Sequence, residues 1–216
     1  MTLPVTEPCK PHKVLIGIGL FLLLLHLAQA FIPGIEHLPQ AVSWGIIVLF
    51  FLAVMAVFLP EWKRDLPVFV KNCRIYAKFF FPKFLCFLPL YFAVSIAVAL
   101  VSGTEAANQQ AIGKLPPGML FVFSVFVAPL QEEVLYRGFL RRIISDDIFY
   151  ILVSGLIFGL AHVLLPEQTL PQLLYIIAYS FIGSFLAWLY VKTDNICVPV
   201  MGHGCYNLLC FILLFV

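Results

Sequence analysis

Apolar residues run through this chain in long blocks, and the polar residues fall mainly between them. A helix crossing a hydrocarbon core of about 30 Å needs roughly 20 predominantly apolar residues. At that length the blocks predict spans at 14–32, 41–59, 79–101, 119–140, 148–165, 170–191 and 196–216. No internal repeat or low-complexity segment interrupts them. The expected fold class is therefore all-α: a polytopic membrane helix bundle of about seven transmembrane helices with a polar intramembrane site. One membrane domain, 1–216, is expected. Ala28-Gln29-Ala30 follows an apolar run in the manner of a signal-peptidase site, but the run is long enough to stay and more spans follow.

Composition strengthens this picture. Of 216 residues, 62% are hydrophobic and 11% charged, against about 25% charged in an ordinary soluble domain. Lipid is the solvent this implies. A formal net charge of +2 gives no support for nucleic acid as a partner. The six cysteines (Cys9, Cys73, Cys86, Cys197, Cys205 and Cys210) form no CxxC pair and read as small apolar residues.

Orientation follows from the Lys and Arg residues. Lys10 and Lys13 precede the first span. Lys63, Arg64, Lys71, Arg74 and Lys78 occupy the second connection, which is expected to include a surface-lying amphipathic piece. Arg141 and Arg142 close the fourth span and Lys192 the sixth, whereas the alternate connections hold only Lys114. By the positive-inside rule the N-terminus is expected in the cytoplasm and the C-terminus outside, in a multi-pass protein of the cell membrane.

Ionisable groups in a bilayer cost about 2.5–3.5 kcal/mol each on insertion scales and persist where they pair, face a cavity or do chemistry. The fourth predicted span holds Gln131, Glu132, Glu133 and Arg137, the fifth His162, the seventh His203 and Asn207. Their spread over three helices asks for one shared polar site. Glu133 and Arg137 are i,i+4 neighbours and can pair. Glu132 lies about 100° around the helix and aims elsewhere. This suggests a structural carboxylate beside one left free to act. Phe158 and His162 are a second i,i+4 pair, with Ser154 on the same stripe. Phe158 reads as packing, and Ser154 as a poor nucleophile with no matched base. His203 and Asn207 are a third pair and could aim two donors at one developing oxyanion. Tyr136, one turn from Glu132, could bond to it. His12, His26 and His37 receive no role.

These residues resemble three motifs of the CPBP family, named for CAAX proteases and bacteriocin-processing enzymes and also called Abi. Glu132-Glu133-Val134-Leu135-Tyr136-Arg137 is similar to its EExxxR motif, Phe158-Gly159-Leu160-Ala161-His162 to FxxxH, and His203-Gly204-Cys205-Tyr206-Asn207 to HxxxN. The resemblance covers 118–211, the expected catalytic core; the earlier spans match only in being hydrophobic. It implies a glutamate-dependent intramembrane endopeptidase, with Glu132 and His162 activating water and His203 and Asn207 stabilising the oxyanion. Glu133, Arg137 and Phe158 would support that geometry. The implied partners are the bilayer and a peptide or protein substrate, which the sequence does not name. No cofactor is expected. Zinc is an alternative, since two His and a Glu can hold it, but HExxH is absent. A transporter, or a scaffold without catalysis, is a further alternative. The span boundaries carry one tension. Glu132 and His203 fall about seven to nine residues from the cytoplasmic ends and His162 about fourteen, a mismatch of roughly 8–10 Å.

Overall fold

The protein is described by a computed structural model covering Pro39, single positions between 42 and 56, and residues 58–112, 116–163 and 169–214. The expected first span, the Ala28-Gln29-Ala30 site and about half of the second span lie outside the described residues, as do Cys9, His12, His26, His37 and Lys114. The described residues form helices and no strand. In chain order these are α1 (Leu59–Lys71), α2 (Cys73–Ser102), α3 (Ala107–Ile112), α4 (Pro117–Phe139), α5 (Asp147–Val163), α6 (Ile176–Thr193) and α7 (Cys197–Leu214). A 3-10 turn, Leu170–Tyr175, leads into α6.

Among the described residues four helical segments are long and apolar enough to cross a membrane: α2, α4, α6 with its 3-10 turn, and α7. The 17 residues of α5 are apolar as well and rise about 26 Å, close to the shortest spans known. Large side chains such as Leu85, Leu100, Phe126 and Ile148 point outward, a surface suited to acyl chains and not to water. The protein is an integral membrane protein.

The sequence between the second and third expected spans forms α1 and the first turns of α2, and the two acidic residues of α1 turn inward. Glu61 pairs with Arg142 beyond α4. Asp65, 2% exposed, accepts the Ile196 N–H at 2.8 Å, and its own carbonyl accepts from Asn195 at 2.9 Å. The Asn195 side-chain oxygen then caps the Cys197 N–H at 3.0 Å. The amphipathic helix is thereby bolted to the turn that opens α7.

That turn contains Asp194, whose φ of 44° closes α6 in the left-handed region. Burial holds its carboxyl above the ordinary value. A folded-state value above the unfolded one means that ionisation costs stability, and the penalty sets in as pH rises past the unfolded value. Asp194→Asn keeps a residue tolerant of left-handed backbone and removes the charge. It should raise the melting temperature at pH 7, with the gain vanishing below about pH 3, where the carboxyl is protonated in both states. A gain that is the same at both pH values would contradict this.

The closest helix pair is α5 with α6, and glycine makes it possible. A Cβ at Gly155 would sit 2.8 Å from the Ser180 carbonyl, and one at Gly159 2.8 Å from the Ile176 carbonyl. From the other side, a Cβ at Gly183 would meet Phe158 Cβ at 2.9 Å. Gly155 and Gly159 form a GxxxG stripe, which lets backbones meet where lipid supplies no hydrophobic drive. Gly155→Ala forces the helices apart and should cost about 1–3 kcal/mol. An unchanged thermal unfolding midpoint would refute this close approach.

Candidate active site

Pro129 sits inside α4 and lacks the N–H that an α-helix would offer to the Val125 carbonyl. Around it the helix widens into π-helical turns at Phe123–Val127, and again at Val134–Phe139. In a membrane the carbonyls released by such turns need partners. Neighbouring helices supply them. Asn207 Nδ2 donates to the Ser124 carbonyl at 2.7 Å. Ser154 donates to Tyr136 O at 2.8 Å, and Tyr150 to Arg137 O at 3.2 Å. Gly204 lets α7 come close here, since a Cβ would lie 2.9 Å from Val125 O.

Within this frame the two adjacent glutamates diverge. Glu133 and Arg137 are both fully buried, with Glu133 Oε2 3.0 Å from Arg137 Nε. Glu133 Oε1 also accepts from His203 Nδ1 at 2.8 Å. The Arg137 guanidinium donates to Gly183 O at 3.1 Å and lies 4.6 Å from the centre of the Phe158 ring. One carboxylate thus ties α4 to α7 while its arginine ties α4 to α5 and α6. Removing Glu133 leaves the Arg137 cation buried without a counter-charge, and removing Arg137 leaves the buried Glu133 held by His203 alone.

Glu132 turns to the opposite side. Its Oε2 is 3.6 Å from His162 Nε2 and has no hydrogen-bond partner among the described residues. The imidazole of His162 lies between Phe158 and Tyr179, at ring centroid distances of 4.2 and 4.8 Å. Its Nδ1 is 2.8 Å from the Phe158 carbonyl. A carbonyl only accepts, so Nδ1 carries the hydrogen, and in the neutral ring Nε2 presents a lone pair to Glu132. Two acceptors therefore face each other at a spacing too long for a direct bond. A water donating one hydrogen to each would satisfy both.

Glu132, His162, His203 and Asn207 all line one cavity of about 800 Å³. Despite the depth mismatch expected from the span boundaries, Glu132 and His162 meet. Each Cα–Cβ bond leans toward its own helix N-terminus. Because α4 and α5 are antiparallel neighbours, Glu132 and His162 lean toward each other. His203 and Asn207 do not share one target: the first is bonded to Glu133, the second to Ser124. Each has one further nitrogen-borne group to offer, the His203 Nε2 and the second amide hydrogen of Asn207. Among the described residues no three His, Cys, Asp or Glu side chains are arranged to hold a metal ion. The described cysteines are free thiols.

Residues 114–209 match the Rce1-like family, described as type II CAAX prenyl endopeptidase. This segment is similar to that family. The chain is 31% identical over 111 residues to the Bacillus subtilis protein named "Putative membrane peptidase YdiL", across 49% of this chain and 42% of that protein. It is 25% identical over 164 residues to the UPF0177 protein YxdF of Lactococcus lactis, covering 73% of this chain and 89% of the relative. A second Lactococcus protein, UPF0177 protein YbdI, is 26% identical over 123 residues. The chain thus spans less than half the length of YdiL. No solved structure matches it.

The matched segment contains Glu132, Glu133, Arg137, His162, His203 and Asn207. Motif spacing did not disclose the tie between Glu133 and His203, because it crosses from α4 to α7. Nor did it disclose Tyr179, which stacks on His162 from α6, or Ser154, whose hydroxyl serves a backbone carbonyl. The Gly155–Gly159 stripe was a readable signal for the α5–α6 contact.

Proposed function

We propose that the protein is an intramembrane endopeptidase in which Glu132 and His162 activate a water molecule for attack on a peptide carbonyl. The observation that carries this reading is the facing pair of acceptors, Glu132 Oε2 and His162 Nε2, 3.6 Å apart on the wall of a cavity. A water held there gives both hydrogens to the pair and turns a lone pair outward. As its oxygen bonds to the carbonyl carbon, one proton passes to Glu132 as general base. The oxyanion is met by His203 Nε2 and the Asn207 amide. Collapse breaks the C–N bond, and the proton on Glu132 goes to the leaving amine. The products are one new carboxyl and one new amino terminus. For His203 to donate from Nε2 while Nδ1 serves Glu133, the ring must be an imidazolium. With Glu132 and Glu133 ionised and Arg137 charged, the four charges sum to zero, a balance that suits a low-dielectric site.

In this reading no metal is needed, the substrate is a membrane-associated peptide or protein, and the Lys and Arg distribution sets the N-terminus in the cytoplasm of a cell-membrane protein. The test uses the purified full chain in lipid nanodiscs with two pools of membrane peptides, one prenylated and one not. New termini should appear with wild type, survive EDTA and phenanthroline, and be absent with Glu132→Ala and His162→Ala of unchanged melting temperature. The same termini from wild type and Glu132→Ala would sink the proposal. Loss of cleavage on chelation, restored by zinc, would favour the metal-dependent alternative.

A further inference from the structure

The Glu132–His162 pair occupies only part of the cavity wall. Another part is built by residues 104–109, between α2 and α4. This strap is pinned to the start of α6. Tyr175 donates to Thr104 O at 2.8 Å and Gln172 Nε2 to Glu105 O at 3.2 Å, while Ala106 is buried beneath. The backbone is thus fixed and the polar side chains are presented outward. Glu105, Asn108 and Gln109 all line the cavity; Glu105 and Gln109 are exposed and Asn108 is half-buried, which sets them at its mouth. Asn108 and Gln109 reach the Tyr179 hydroxyl, on the residue whose ring stacks on His162. The mouth and the Glu132–His162 pair are therefore one tyrosine apart.

The charge of this wall is one-sided. Among the described residues the cavity is lined by the carboxylates of Glu105 and Glu132 and by no Lys or Arg. Glu133 also lies behind it, but Arg137 balances that charge. Glu105 enters no ion pair with a described Lys or Arg. A ligand carboxylate held at the mouth would meet the Glu105 carboxylate with no Lys or Arg among the described lining residues, because the His203 charge lies deeper and is matched by Glu132 and Glu133. An ammonium or guanidinium would gain a partner, and the two carboxamides offer donors and acceptors suited to a peptide backbone.

We propose that Glu105, with Asn108 and Gln109, forms a cation-selecting subsite at the cavity mouth. The favoured ligand carries a Lys or Arg a few residues from the bond held at Glu132, and a free C-terminal carboxylate in that position is disfavoured. This rests on the peptidase reading for the word substrate, but binding alone tests it. The probes are capped 12-residue Leu/Ala peptides bearing a single Lys, Gln or Glu at successive positions, plus one ending in a free carboxylate. They are titrated against the full chain in neutral-lipid nanodiscs, both wild type and Glu132→Gln.

At one or two adjacent positions Lys should bind about tenfold more tightly than Glu, and the ratio should shrink between low and high salt. Glu105→Gln should abolish the preference, Glu105→Lys invert it and Glu105→Asp restore it, which a merely structural role for Glu105 would not do. Equal binding of Lys and Glu peptides at every position, binding of none, or a preference unchanged in Glu105→Lys would overturn the subsite. A charge preference in binding without cleavage by wild type would instead overturn the peptidase reading and leave the subsite standing.

Discussion

Glu132→Gln should lower kcat by a factor of about 10²–10⁴ while leaving KM and the melting temperature close to wild type. The amide keeps the shape of the carboxylate and loses only the capacity to take a proton. Folding should be indifferent, because Glu132 Oε2 has no hydrogen-bond partner among the described residues. His162→Gln should fall in the same range, and the double variant should be little worse than either single one, since both serve one water. Multiplicative losses would show that the two side chains act at separate steps. Retention of more than a tenth of the wild-type kcat in Glu132→Gln would remove the general base from this position.

The second large effect concerns stability. Arg137→Ala leaves the fully buried Glu133 carboxylate with His203 as its one remaining partner, takes a donor from Gly183 O and removes the cation from the Phe158 face. Breaking a buried pair from one side costs about 3–5 kcal/mol. Unfolding in mixed detergent micelles should show a loss of that size for Arg137→Ala, and a comparable one for Glu133→Ala. The double variant Glu133→Leu with Arg137→Met should recover much of the loss, because it buries no charge. It should still be inactive, since His203 would lose the acceptor that fixes its ring. A single-variant loss below about 1 kcal/mol would mean that water reaches the pair and screens it.

The two partner networks explain what was legible in the sequence and what was not. Helix positions follow from apolar length, so the expected spans 119–140 and 170–191 lie close to the observed segments 117–139 and 170–193. The convergence of polar residues follows from cost, because Glu132, His162, His203 and Asn207 would otherwise be stranded in lipid. Rotation and depth do not follow from either. The turns of α4 are set by Pro129 and by carbonyls that only a folded neighbour can satisfy. The depth of His162 depends on how far side chains lean across an antiparallel pair. Gly155 and Gly159 announce a close contact, but only the partner Gly183 shows that it also places Arg137. The mouth at Glu105 was invisible, because an acidic residue in a loop between spans carries no penalty and so no signal.

The most direct test of the central claim, water activated between Glu132 and His162, is a single turnover in H₂¹⁸O. With a cleavable peptide in hand and enzyme in excess, the heavy oxygen should appear in the new carboxyl terminus of the product. The fragment of the protein containing Glu132 should carry none by mass spectrometry. Label in the Glu132 side chain after that turnover would mean that the carboxylate itself attacked the peptide, and would contradict the account.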